Sequence, residues 1–156
     1  MAIYPGTFDP ITLGHENIAH RAIKIFDKVI LAVAENTSKQ SFFSFNERVD
    51  LVKSVFKDYK EIEVVGFKGL LMQFVATQNV RVVIRGLRAV SDFEYEFQLA
   101  GMNRKLYPDV ETLFLTPSEQ FTFLSSSLVK EVATLGGNIE QFVSPIVKEA
   151  MKKTGR

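Results

Sequence analysis

A chain of 156 residues, 46% apolar and 24% charged, has the size and make-up of one globular domain, residues 1–156, with a sizeable core. Its formal net charge of +1, with Lys and Arg scattered rather than gathered on one helix face, lacks the basic field that nucleic-acid binding usually needs, so no nucleic-acid partner is expected. The absence of cysteine excludes disulfides and thiolate metal sites and is compatible with a reducing compartment.

The chain reads directly as strand at Ala2-Ile3-Tyr4, with no charged leader ahead of a long apolar segment. No later apolar run approaches the length that spans a bilayer, so no membrane partner and a cytoplasmic location are expected. Pro5, Gly6, Asp9-Pro10 and Gly14 then disfavour regular structure, and from Gly14 a helix is predicted with Ile18, Ala22, Ile23 and Phe26 on one apolar stripe. His15 falls on that stripe at the helix N-terminus, where unpaired amides and the positive end of the helix dipole favour an anion. His20 lies roughly 130° from the stripe centre and is expected to face solvent without a role.

Lys28 to Ala34 is almost continuously apolar, the pattern of a strand buried on both faces of a parallel sheet. A polar loop from Glu35 to Phe45 contains Lys39. Ser44-Phe45-Asn46-Glu47 has the form of a capping box for a helix whose stripe is Val49, Val52, Val55 and Phe56. Ile62 to Phe67 reads as a third strand, Leu70 to Ala76 as a helix, and Arg81 to Gly86 as a fourth strand. Ser91-Asp92-Phe93-Glu94 is a second capping-box pattern, opening a helix that runs to about Leu106 before Pro108. Glu111 to Thr116 is the fifth strand. Ser125-Ser126-Ser127 opens a helix ended by Gly136-Gly137, and Ser144-Pro145 starts the last, with Lys152 and Lys153 near its negative end.

Strands alternating with helices imply right-handed crossovers and a Rossmann-like α/β fold: one five-stranded parallel sheet with helices on both faces. Ligands in such folds bind at the carboxyl ends of strands, where the strand order reverses. The fourth helix is apolar on two sides, Phe93, Phe97 and Ala100 on one, Tyr95, Leu99, Met102 and Leu106 on the other. One side is expected to meet the sheet and the other a second subunit.

Four strand-end loops carry groups suited to anions: Thr7 with His15, Lys39, Arg85 with Arg88, and Ser125-Ser126-Ser127. Each has a plainer reading alone, as a satisfied half-buried histidine, a solvated loop lysine or a set of helix caps. Arg85 and Arg88 flank a glycine, where guanidinium forks can grip phosphate oxygens bidentately, and the convergence of all four loops favours a phosphate site. Gly-x-x-x-x-Gly-Lys-Ser/Thr, Gly-x-Gly-x-x-Gly and Gly-x-Ser-x-Gly motifs are all missing, as are a zinc-binding His pair and a nucleophilic triad. Many phosphate-gripping groups with few candidate bases suit a substrate that arrives ionised, such as a phosphate monoester, whose second pKa is about 6.

The run Tyr4 to His15, Lys39, Ile84 to Glu96 with its Arg-Gly-Leu-Arg-Ala-Val-Ser-Asp-Phe-Glu-Tyr-Glu core, and Phe123 to Glu131 together resemble the bacterial phosphopantetheine adenylyltransferases. The resemblance covers nearly the whole chain. It implies transfer of AMP from ATP to 4′-phosphopantetheine, with Mg2+, in a homohexamer built from two trimers. By that likeness His15 is the catalytic residue, stabilising the transition state at the α-phosphate. Thr7, Lys39, Leu71 and Arg85 match positions on the pantetheine side. Thr7, Phe8, His15, Gly86, Leu87, Arg88, Glu96 and the segment Phe121, Thr122, Phe123, Leu124, Ser125, Ser126 and Ser127 match positions on the ATP side. Glu96 also sits beside the Phe93/Phe97 stripe, where a carboxylate is costly without a donor; the plainer reading is a surface charge. Asn17 stands where the family often has Asp, Leu124 where Ile is common, and Lys130 close to where cousin families carry Arg. The alternatives are a nucleotidyltransferase with a nicotinate mononucleotide or glycerol-3-phosphate acceptor, and a non-catalytic nucleotide sensor.

Overall fold

The computed structural model describes residues 1–35, 41–88 and 90–154; Lys39 lies outside them. The strands are β1 (Ala2–Gly6), β2 (Val29–Ala34), β3 (Ile62–Phe67), β4 (Val82–Gly86) and β5 (Glu111–Leu115). The helices are α1 (Leu13–Ala22), α2 (Phe45–Val55), α3 (Leu71–Thr77), α4 (Val90–Leu106), α5 (Ser126–Thr134) and α6 (Pro145–Thr154), with a 3-10 turn at Glu119–Phe121. All five strands pair in parallel, in the order β3-β2-β1-β4-β5, so the order reverses between β1 and β4.

Side-chain alternation distributes each central strand between two cores. Ala2 and Tyr4 of β1, with Val29, Leu31 and Val33 of β2, face the layer that includes Ile18 of α1, Val52 of α2, Val129 of α5 and Val147 of α6. Ile3, Ile30 and Ala32 face the opposite layer, with Met72 and Val75 of α3 and Val110. This two-sided burial is why β2 is written as an unbroken apolar run. The expected α/β class, strand number and parallel pairing are all present.

Several local expectations are corrected. The α1 helix ends at Ala22, so Phe26 packs from the following turn rather than from the helical stripe. His20 does not face solvent alone: its ring stacks on Tyr59 at 4.9 Å and meets Phe56 edge-on, because the turn after α2 folds back across α1. The capping box at Ser44 is complete, with Ser44 accepting from the Glu47 N–H and Glu47 accepting from the Ser44 N–H. The α4 helix starts at Val90, one residue before the Ser91 of the second pattern. Asp92 accepts from the backbone N–H of Arg88.

The α4 helix also differs from expectation in how it meets the sheet. Phe93, Tyr95, Phe97, Met102 and Leu106 are all exposed, while Glu96 and Asn103 are buried. The inward edge is therefore Asp92, Glu96, Leu99 and Asn103 at helical spacing with Ala100 beside them, so each apolar side contributes only one half-buried residue to it.

Candidate active site

The β1–α1 turn is shaped by Gly6 and Phe8. A Cβ on Gly6 would lie 2.9 Å from Phe8 Cζ, so only glycine lets the ring fold under the turn. Phe8 has a positive φ of 51° and is buried edge-on between Tyr4 and His15. Thr12 caps α1, and His15 completes a capping box in the place normally held by Glu or Gln: the Thr12 N–H donates to His15 Nδ1 at 3.0 Å, and the His15 N–H to Thr12 Oγ1 at 3.3 Å.

Because Nδ1 accepts from a backbone amide, the neutral ring carries its proton on Nε2. Burial, and then the nearby Arg88 charge, lower the His15 pKa from 6.5 to about 4. The ring is thus an uncharged donor at neutral pH. Between pH 6.5 and 4 the unfolded chain binds the extra proton and the folded chain resists it, so stability rises as pH rises across that window and is flat above it. Proton NMR should place the His15 titration below pH 5, and a midpoint near 6.5 would contradict this environment.

At the end of β4, the Arg85 fork is already occupied. Its Nε and Nη2 donate to the two carboxylate oxygens of Glu96 at 2.6 and 2.9 Å, and Glu96 is only 6% exposed. Burial opposes the Arg85 charge, but the Glu96 pairing outweighs it and leaves its pKa raised. The carboxylate beside the Phe93/Phe97 stripe has thus found its donor and is not a surface charge. Its pairing leaves Nη1 of Arg85 for a ligand, rather than the whole fork expected from the sequence. Arg88 donates through Nε to Asp92 at 3.1 Å and through Nη1 to the Leu124 carbonyl at 3.1 Å, tying β4 to the approach of α5.

Ser125 caps α5, accepting from the Leu128 N–H, and Ser126 donates to the Pro10 carbonyl at 2.7 Å, so two of the three serines also hold structure. Asn17 accepts from the Ser118 N–H at 3.0 Å, and Arg21 donates to the Thr116 carbonyl, fixing the β5 exit against α1. Lys130 reaches Asp9 at 3.3 Å.

These elements enclose a crevice of about 520 Å³ over the β1/β4 reversal. His15, Arg85, Gly86, Arg88, Glu96, Phe121, Leu124, Ser125, Ser126 and Ser127 line it together. An adjoining cavity of about 320 Å³ brings together Thr7, Leu71 and Arg85. Pro5, Gly6 and Arg85 border both. Phe8 lies behind His15 in the core, while Leu87, Thr122 and Phe123 line neither cavity. The Leu87 N–H bonds to the Leu115 carbonyl, and Phe123 packs against Phe142.

Sequence reasoning missed Tyr4, Asp9 and Arg48. Tyr4 lines the larger crevice from within the sheet. Asp9 accepts from the N–H groups of Phe42 and Phe43 at 2.7 and 2.8 Å. Arg48, 1% exposed, donates to the carbonyls of Thr7, Ala34 and Phe43, joining the ends of β1 and β2 to the start of α2. Its position four residues before Val52, on the buried stripe of α2, was the available signal.

A parallel sheet with a histidine-bearing helix start, two strand-end arginines and a serine-capped helix around one crevice defines a nucleotidyltransferase of the cytidylyltransferase-like family, whose model matches residues 3–132. The chain is 59% identical over 151 residues to a phosphopantetheine adenylyltransferase of Nitrosomonas eutropha, covering 97% of this chain and 92% of that one. It is 61% identical over 147 residues to the phosphopantetheine adenylyltransferase of Methylobacillus flagellatus, covering 94% and 92%. The chain belongs to the phosphopantetheine adenylyltransferase family. Its fold is shared by the nicotinic acid mononucleotide adenylyltransferase of Plasmodium falciparum complexed with NaAD, with a TM-score of 0.67 at 16% identity over 97% of this chain and 94% of that one.

Proposed function

We infer that the protein transfers AMP from ATP to 4′-phosphopantetheine, forming dephospho-coenzyme A and pyrophosphate in the cytoplasmic synthesis of coenzyme A. The observation that carries this reading is the pair of adjoining cavities that meet at Arg85. The larger holds His15, Arg88 and the serines, which suit a triphosphate; the smaller holds Thr7 and Leu71, which suit a phosphate on an uncharged arm.

In the reaction, an ionised oxygen of the acceptor phosphate attacks the α-phosphorus of ATP, the bond to the β-phosphate oxygen breaks, and pyrophosphate leaves with the electron pair. The acceptor needs no base because its phosphate is already ionised at neutral pH. What the protein supplies is alignment and charge stabilisation. Nε2–H of His15 donates to the α-phosphate as charge builds on its oxygens, at no cost in ring protonation. Nη1 of Arg85 neutralises the acceptor phosphate at the junction, and Arg88 holds the outgoing phosphates. Incubation with ATP, Mg2+ and 4′-phosphopantetheine should yield dephospho-coenzyme A by mass; product formed only with nicotinate mononucleotide or glycerol 3-phosphate, or ATP binding without turnover, would overturn the reading.

Arg88→Ala should weaken ATP binding at least tenfold by calorimetry, as a charged donor to phosphate is lost. Unchanged ATP affinity would remove Arg88 from the site.

Among the described residues no cluster of three or more His, Cys, Asp or Glu side chains could hold a metal, and the crevice carboxylates Asp92 and Glu96 are paired with Arg88 and Arg85. Mg2+ would therefore arrive on the triphosphate, as this ion often does. The exposed apolar sides of α4 support assembly into the hexamer implied by the family, with Phe93, Tyr95, Phe97 and Met102 covered by other subunits. Light scattering giving a monomer at micromolar concentration would contradict it.

A further inference from the structure

Tyr4 is 4% exposed, and its ring meets Phe8 edge-on with centroids 5.6 Å apart. Its hydroxyl has no hydrogen-bond partner among the described residues, yet no sealed polar side-chain atom there lacks one. The hydroxyl must therefore keep its access to the crevice that Tyr4 lines. Its place is well defined: a Cβ added at Gly86 would meet Tyr4 Oη at 3.9 Å and Ile18 Cγ1 at 3.8 Å, at the reversal between β1 and β4.

Phenylalanine would supply the same packing, and a buried phenol ordinarily finds a partner for its O–H. Arg85 and Arg88 both act electrostatically on this group, so the space in front of it favours anionic oxygens. Despite those charges, burial keeps the pKa of the phenol well above its usual value. It therefore stays protonated and can donate.

We propose that Tyr4 Oη donates a hydrogen bond to a phosphate oxygen of the nucleotide bound in the larger crevice, as an uncharged contact supplied by the sheet itself. This rests on the adenylyl-transfer reading above. The contact belongs to the nucleotide and not the acceptor because Tyr4 borders only the larger crevice, whereas Thr7 and Leu71 line the smaller one.

Tyr4→Phe removes one oxygen and no hydrogen bond within the protein, so its melting temperature should equal or slightly exceed that of the wild type. Calorimetry should give ATP binding weakened about tenfold, the size expected for a hydrogen bond to a charged group. Binding of adenosine and of 4′-phosphopantetheine should be unchanged. ATP affinity within twofold of wild type would overturn the proposal, as would an equal loss for adenosine, a loss on 4′-phosphopantetheine instead, or a marked drop in melting temperature. A wild type that binds ATP but never forms dephospho-coenzyme A would defeat the parent reading instead, and the ATP comparison between the two proteins would still decide the role of Tyr4.

Discussion

His15→Ala lowers turnover by roughly a hundredfold or more, in line with the cost of about 2.7–4 kcal/mol for losing one preorganised donor to a transition-state oxyanion. The same change removes half of the capping box of α1, so a loss of stability of about 1 kcal/mol accompanies it. The two effects separate in His15→Glu, which restores a carboxylate acceptor for the Thr12 N–H but cannot donate to phosphate and adds negative charge beside it. That variant should regain stability relative to His15→Ala while remaining at least as inactive. Steady-state kinetics with thermal melts of both variants checks this. Recovery of activity together with stability would mean that the imidazole serves the helix and not the reaction.

Arg48→Met destabilises the fold by about 3–5 kcal/mol, because three buried carbonyls lose their charged donor at once. For a domain of this length, that corresponds to a melting temperature lower by roughly 10 °C. The three carbonyls come from Thr7, Ala34 and Phe43, so the loss also loosens the turn that carries Thr7. Arg48→Lys should recover little, since one ammonium cannot reproduce a planar fork with separate Nε and Nη1 donors. Denaturant unfolding of both variants is the measurement. A Met variant within 1 kcal/mol of wild type would show that water satisfies these carbonyls instead.

These two residues also mark how far the sequence can be read. The stripe at Ile18 and Ala22, the apolar run of β2 and the Ser44 capping box are local patterns whose period fixes their conformation, and they appear as expected. The motifs in the β1–α1 turn, at the end of β4 and before α5 likewise identified the side of the sheet that carries the crevice. Where the sequence misled, a hydrogen bond or ring contact outside the predicted pattern accounts for the difference. Ser91-Asp92-Phe93-Glu94 has the form of a cap, but Asp92 is drawn back to Arg88 and the helix begins earlier. His20 sits off the apolar stripe, yet Tyr59 and Phe56 come over it from the turn after α2.

By itself the sequence determined the alternating α/β class, the parallel sheet and the strand-end loops that carry the candidate anion-binding groups, because strand and helix periodicity and turn chemistry are short-range properties of the chain. Only the tertiary structure decided how those loops divide into two cavities around Arg85, which of its nitrogens Glu96 consumes, and that Arg48 and Tyr4 belong beside the site at all. Hydrogen bonds between residues 11 and 41 positions apart depend on where separate elements dock, and no local pattern encodes that.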